Sequence, residues 1–408
     1  MPTTLTRSEE LFAAAQHLIP GGVGGIRRPY NFVPGEYPIF LEKGQGGYIF
    51  DVDGNRYIDL LCSYGPIILG HREKEVDEAV IEQIRDYGFC FNLAQAWQNR
   101  LAERLIQIIP SAERVILVKT GSDATTAAIR VARGHTGRLK VLRCGYHGWH
   151  DWCVEVKAGI PAKLYEDVHE FHYNRLDELK DLLEKHSGEV AAVIVTPVGH
   201  PLAHPVQAPA PGFLEGVRQL ASEHGAVLVF DEIRSGFRVA LGGAQERYGV
   251  IPDITVIGKA MANGYPISAV VGKQEFLAVA ESKVFISSTF FPNSLEMVAA
   301  LKTMEVLQRE NALDRLWKLG QRLLDGLEKS RARHGAPATV SGIPPMPFIT
   351  FNADPEGRYK QLRVRFYTEM IRRGIFMAPY HHGYICCRHS DEDIDAVLAA
   401  ADEAFASL

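Results

Sequence analysis

Two short apolar runs in this chain each end in one ionisable residue: Ala226-Val-Leu-Val-Phe230 leads into Asp231, and Asp253-Ile-Thr-Val-Ile-Gly258 leads into Lys259. Their length and β-branched content read as buried strands. Two such strands would deliver a carboxylate and an amine to one edge of a sheet, and ligands of open α/β sheets bind outside the carboxyl ends of the strands. A buried carboxylate favours the protonated form of a nearby ring nitrogen, because opposite charge stabilises the cation. A desolvated lysine has a lowered pKa and becomes an amine nucleophile able to form a Schiff base.

Two further stretches add to that pair. In Lys119-Thr-Gly-Ser122 an apolar run ends, and Ala124, Ala127, Ala128, Val131 and Ala132 then recur at helical spacing. Gly121 and Ser122 therefore sit at a helix N-terminus, where free N–H groups and the dipole attract an anion. A plain serine-capped turn is the alternative. Gly145-Tyr-His-Gly-Trp-His-Asp-Trp152 places Tyr146 or the His147 ring as a stacking face for a planar ligand. His147 and His150 offer a metal no third ligand nearby, and ordinary core aromatics are the other reading. A phosphate cradle, a stacking ring, an acid and a lysine in this order suggest pyridoxal phosphate.

The elements that must position these groups follow the same alternation. Candidate strands are 114–119, 140–143, 191–195, 226–230, 253–257 and 268–271, with helical periodicity in most of the gaps. That pattern predicts a mostly parallel sheet covered on both faces. Before it, an amphipathic helix over 7–19 stops at Pro20-Gly-Gly22, and Asp53-Gly-Asn55 between alternating runs predicts a β-hairpin over 47–59. After Asn293 a long helical pattern runs to about His334. Short strands and helices then mix up to a terminal helix over 391–406. The expected organisation is an N-terminal segment (1–60) packing with the C-terminal part, a large domain (61–310) and a small α+β domain (311–408).

Composition narrows the function classes. The 408 residues carry a net charge of −5 and 23% charged residues, with no basic run, which argues against nucleic acid as a partner. No stretch matches a membrane span or a signal peptide. The six cysteines are scattered without metal or redox spacing, as expected of a cytoplasmic protein.

The ordered motifs resemble the class III, fold-type I pyridoxal-phosphate aminotransferases, and among them the glutamate-1-semialdehyde aminomutase branch. They are Leu18-Ile-Pro-Gly-Gly22, Asp51-Val-Asp-Gly-Asn-Arg-Tyr-Ile-Asp59, Tyr64-Gly-Pro-Ile-Ile-Leu-Gly-His71, Ile129-Arg-Val-Ala-Arg-Gly134, Gly145-Tyr-His-Gly148, Phe230–Arg238 and His389-Ser-Asp-Glu-Asp-Ile394. The resemblance implies a large domain with a seven-stranded-type, mostly parallel sheet plus a smaller α+β domain. It implies a transaminase that passes through an internal aldimine and the pyridoxamine form. Lys259 resembles the lysine that holds the cofactor and shuttles the proton, and Asp231 the partner of the pyridinium nitrogen. Ile233 and Tyr146 resemble the residues on the two ring faces, and Gly121 and Ser122 the phosphate turn. Thr289 matches a phosphate contact supplied by the second subunit, so a homodimer with shared active sites is implied. Arg28 lies where that branch binds a substrate carboxylate, and Tyr64 where an aromatic lines the cleft. His200 and Arg388, with His381 and His382, are further candidate substrate contacts.

Departures from the aminomutase pattern favour an intermolecular transaminase acting on an amino donor and a carbonyl acceptor. Only Ala158-Gly-Ile-Pro-Ala-Lys-Leu-Tyr165 stands where the mutase has a long mobile segment, and Thr196-Pro-Val-Gly-His-Pro201 replaces a Glu-Pro-Val segment. An aminomutase or a racemase is the alternative reaction. A non-catalytic cofactor-binding protein is the alternative class, against which the retention of Lys259 and Asp231 speaks.

Overall fold

The apolar runs become one seven-stranded sheet in the computed structural model, which describes residues 4–24, 32–199, 205–291 and 293–408. The chain falls into two compact units. One comprises Met1–Glu73, Pro201–Gln207 and Asp314–Leu408, the other Lys74–His200 and Ala208–Leu313.

The first unit begins with the helix Thr6–Ala15, which ends sooner than its periodicity predicts because a turn follows, with the Ile19 N–H donating to the Ala15 carbonyl. Strands β1 (Leu41–Gln45), β2 (Tyr48–Asp51) and β3 (Arg56–Asp59) then form an antiparallel meander. Buried Asp51 holds the predicted turn shut, accepting from the backbone N–H groups of Asp53 and Asn55 and from the Tyr57 hydroxyl. Asp59 does the same one turn later. One oxygen accepts from the Leu61 and Cys62 N–H groups at 2.9 Å, and the other lies 2.8 Å from His71 Nε2. These bonds offset the strain of Cys62, Ser63 and Tyr64, three successive non-glycine residues with positive φ.

The second unit carries the large sheet: β4 (Arg114–Val118), β5 (Lys140–Cys144), β6 (Val168–Glu170), β7 (Val190–Val195), β8 (Val227–Asp231), β9 (Ile254–Ile257) and β10 (Ser268–Gly272). Their spatial order is β4-β10-β9-β8-β7-β5-β6. All run one way except β10, which is antiparallel to both of its neighbours. Strands β7 to β10 are buried at every residue, the mark of a sheet covered on both faces. The edge strand β6 escapes the sequence reading because Val-His-Glu is too short and polar to register as an apolar run.

The helix Gly121–Thr136 packs on this sheet through Ala124, Ala127, Ala128, Val131 and Ala132. Its small side chains let the helix approach closely. A reciprocal cap begins it: the Asp123 N–H donates to Thr120 Oγ1, and the Thr120 N–H to Asp123 Oδ2. The long helical pattern after residue 293 proves to be two helices, Ser294–Arg309 and Ala312–Arg333. They are separated at Asn311, whose φ of 47° breaks the helix.

The chain then completes the first unit with the hairpin β11 (Ala338–Ile343) and β12 (Met346–Phe351), the helix Arg358–Arg372, strand β13 (Ile375–Phe376) and the helix Asp391–Ala406. β13 pairs in parallel with β3.

Candidate active site

Five strands of the large sheet present their carboxyl ends to the same edge, and each contributes. After β4 the chain turns at Thr120 into the helix whose first residues are Gly121 and Ser122. After β5 come Tyr146, His147 and Gly148. β7 leads to Thr196, β8 ends in Asp231 and continues to Ile233 and Arg234, and β9 leads to Lys259. These residues, with Thr125 and Trp149, line one cavity of about 230 Å³.

Asp231 is the electrostatic centre of this cavity. It is buried, and its Oδ2 lies 2.8 Å from His147 Nδ1 while the Ile233 N–H donates to its Oδ1 at 3.1 Å. A carboxylate accepts only, so His147 carries its proton on Nδ1. Its Nε2 is buried and without a hydrogen-bond partner among the described residues, as is Thr196 Oγ1. The His147 ring stacks nearly parallel to Trp152, and its carbonyl accepts from the Thr125 hydroxyl at 2.7 Å. The whole 145–149 turn is thus fastened to the helix Gly121–Thr136.

Backbone close to the helix start is reserved for something other than side chains. A Cβ on Gly121 would come 3.1 Å from Ile233 Cγ2, and one on Gly148, whose φ is +114°, would sit 2.4 Å from Ser122 Oγ. The Trp149 N–H donates to that same Ser122 oxygen. The helix N-terminus at Gly121 and Ser122 thus borders the cavity, an anion site by geometry and dipole. Lys259 lines the same cavity with φ of 43°, a left-handed conformation that non-glycine residues adopt only where the surroundings impose it.

This residue set fits pyridoxal phosphate: the Gly121 turn would hold the phosphate, Asp231 would face the ring nitrogen, Lys259 would meet the aldehyde, and Ile233 and Tyr146 would flank the ring. The sequence reading missed Arg234, which is buried in the cavity wall with its guanidinium over the Tyr146 ring, 5.6 Å from the centroid. It also missed Thr125, Thr196 and Trp149. Arg234 sits beside Ile233 in the most informative stretch of the chain, but nothing in its type or spacing says whether it turns inward.

Seven predicted residues, Gly121, Ser122, Tyr146, His147, Asp231, Ile233 and Lys259, meet at this cavity. Thr289 does not line it and is exposed in the loop before the helix Ser294–Arg309. Tyr64 and Arg388 belong to the other unit. There Tyr64 meets His381 edge to face at 5.1 Å, and Arg388 makes a bidentate ion pair with Glu73. His381 and His382 are buried beside Tyr384 in that unit. Arg28 and His200 lie outside the described residues.

Comparison with known proteins shows the family. Residues 32–390 match the family model "Aminotransferase class-III". The chain is 58% identical over 404 residues to a 3-aminobutyryl-CoA aminotransferase of Cloacimonas acidaminovorans, covering 99% of this chain and 98% of that one. It is 36% identical to a glutamate-1-semialdehyde 2,1-aminomutase of Brevibacillus brevis, covering 98% of each. Among solved structures, the FumI protein of Sphingopyxis sp. MTA144 in its pyridoxal-phosphate-bound form superposes with a TM-score of 0.93 at 33% identity, over 98% of this chain and 96% of that one.

Proposed function

We propose, for a chain that belongs to the class III aminotransferases and works with pyridoxal phosphate, that the amino donor is a 3-aminoacyl thioester of the 3-aminobutyryl-CoA kind and the acceptor a 2-oxo acid. The observation that carries this reading is the 58% identity, over nearly the full length of both chains, to an enzyme named for that donor. The exchange is balanced: the donor's C–H and C–N bonds give way to a carbonyl, the acceptor's carbonyl becomes an amine, and nothing is oxidised overall.

Pyridoxal phosphate, when bound, supplies an aldehyde that condenses with amines and a ring that takes up the electron pair freed at the donor carbon. In our reading Lys259 Nζ accepts the proton from the carbon bearing the amino group and returns it on the other side of the exchange, as general base and then general acid. Asp231 holds the ring nitrogen protonated by its opposite charge, and His147 holds Asp231. Gly121 and Ser122 offer backbone N–H groups to the phosphate. Ile233 and Tyr146 fix the ring plane, with Arg234 behind Tyr146.

A homodimer with shared sites belongs to the same reading, Thr289 reaching the partner's phosphate. What supports it is exposed apolar side chains on two segments: Phe89, Phe91 and Leu93 in one, Phe285 and Phe290 in the other. Exposed apolar patches mark association surfaces. Among the described residues no helix is long and apolar enough to cross a membrane. We place the enzyme in the cytoplasm, where its scattered cysteines stay reduced.

The test is a single-turnover mixing of the holoenzyme with 3-aminobutyryl-CoA and no acceptor. We expect loss of the near-visible cofactor absorption and release of one 3-oxoacyl product per site, with the absorption restored on adding a 2-oxo acid. Free amino acids that turn over while the thioester does not would overturn the donor assignment.

A further inference from the structure

A second cavity, of about 390 Å³, adjoins the cofactor cavity, and Trp149 lines both. Its other walls are Arg130 and Arg133 from one face of the helix Gly121–Thr136, together with His150, Asp151 and Trp152 from the turn after β5. Thr126, Ile129 and Leu164 complete the lining, so two cations and two indoles share it with one carboxylate. Trp149 is 65% exposed, a large aromatic surface left to water.

The side chains of this cavity are held in place. The Trp152 indole N–H donates to Thr126 Oγ1 at 2.8 Å, and the same hydroxyl lies 2.8 Å from His150 Nδ1. An indole N–H can only donate, so the Thr126 hydroxyl accepts from Trp152 and keeps its own proton and a second lone pair for His150. Arg130 uses one N–H on the Phe285 carbonyl and Arg133 one on the Leu139 carbonyl. Each guanidinium carries five N–H donors, in a fork suited to phosphate. Burial pulls the Arg133 pKa below its ordinary value, with the Asp167 charge only partly opposing it, so its cation is under-compensated.

We propose that this second cavity holds the phosphorylated nucleotide end of a coenzyme A thioester whose aminoacyl end enters the cofactor cavity past Trp149. Arg130 and Arg133 take the phosphates, and the exposed indole of Trp149 takes the adenine face. Trp149, which lines both cavities, marks where the pantetheine arm would pass from one to the other. This proposal rests on the thioester donor of the preceding section and adds the surface that recognises the carrier.

Two measurements on the holoenzyme test it. Tryptophan fluorescence is titrated with adenosine 3′,5′-bisphosphate, with ATP as a second probe. The KM of the 3-aminobutyryl thioester of coenzyme A is compared with that of the same acyl group on N-acetylcysteamine. We expect saturable quenching by the bisphosphate that disappears in Trp149→Phe and weakens about tenfold in Arg130→Ala, the cost of one charge-assisted phosphate contact, with partial recovery in Arg130→Lys. The preference for the coenzyme A thioester should shrink by a similar factor in Arg130→Ala. An unchanged preference in that variant, or ATP binding as tightly as the bisphosphate, would overturn the site while leaving the thioester donor standing. If neither thioester is turned over but free 3-amino acids are, the donor assignment fails and this site with it. Arg133→Ala could fail to fold because Arg133 also ties down Leu139, so Arg130 and Trp149 carry the test.

Discussion

His147 Nδ1 lies 2.8 Å from Asp231 Oδ2, with both side chains buried. The histidine comes from the turn after β5 and the aspartate from the tip of β8, so one hydrogen bond spans two strand ends and holds the one carboxylate that lines the cavity among the described residues.

Removing that bond without removing the charge isolates its contribution. A charge-assisted hydrogen bond contributes about 1.5–3 kcal/mol, so His147→Phe is expected to lower kcat by roughly ten- to a hundredfold. The cofactor should still bind. Asp231→Ala is expected to cost more, on the order of 10²–10³-fold, as the loss of a preorganised charge does elsewhere. Stopped-flow kinetics on both variants decides the order; a His147 variant as impaired as the Asp231 variant would make the histidine a participant rather than a support.

Lys259→Ala is expected to abolish turnover and the near-visible absorption together, because in the proposed function one amine would provide both the covalent attachment and the proton transfer. Loss of a general base costs about 10²–10⁴-fold, and a small primary amine in the buffer should restore part of the rate. Absorption that persists in the variant would place the attachment elsewhere.

Lys119 and Glu296 form an ion pair at 2.6 Å just before the Gly121 turn, and both side chains are largely buried. Breaking a buried pair from one side leaves an uncompensated charge and costs about 3–5 kcal/mol, whereas replacing both partners with apolar groups is often neutral. Lys119→Met and Glu296→Met should each lower the denaturation midpoint in urea, and the double variant should recover most of the loss. Additive losses would mean that the two side chains act independently.

Glu232, next to Asp231, is fully buried. It accepts from Ser235 Oγ, from the Ala244 N–H, and from both the backbone and side-chain N–H groups of Gln245. Burial raises its carboxyl above the usual range, against the pull of those donors. A carboxyl raised on folding binds its proton more tightly in the folded chain. Its contribution is therefore fully present below the unfolded pKa of about 4.3 and fades as pH rises through the folded value. Glu232→Gln removes the titration. The stability of wild type relative to this variant should be greatest at acid pH and narrow toward pH 8, as read by thermal unfolding. A gap that widens with pH would reverse the sign and refute the argument.

Cys90 is the exposed cysteine of the six, and it sits between Phe89 and Phe91 in the apolar segment assigned to the dimer. The other five cysteines are buried and closed to a reagent in the folded chain, and burial also pushes the Cys144 and Cys153 thiols up to about 12. Alkylation at pH 8 should therefore report on Cys90, and its rate should fall as protein concentration rises and the segment is covered. Equal rates over a hundredfold range of concentration would remove this face from the interface.

Much of the site was legible because its chemistry sits where local patterns end. Asp231 and Lys259 follow apolar runs, and Gly121 and Ser122 precede a helical repeat. Other features leave no local trace. The direction of β10 is invisible because an antiparallel and a parallel strand buried on both faces read alike. Arg234 points into the cavity only because β8 continues straight into the turn that carries Ile233. The stop at Asn311 inside one long periodic pattern is a single residue that tolerates positive φ.

The reversal of β10 has a consequence for the lysine. Ile257 and Ala269 are direct partners across β9 and β10, so the link that carries Lys259 leaves one central strand and re-enters its neighbour. Its backbone is moored at both feet, and the side-chain nitrogen travels by swinging its own methylenes. The amides at those moorings should be among the slowest in the molecule to exchange with deuterium, opening only when the whole unit unfolds.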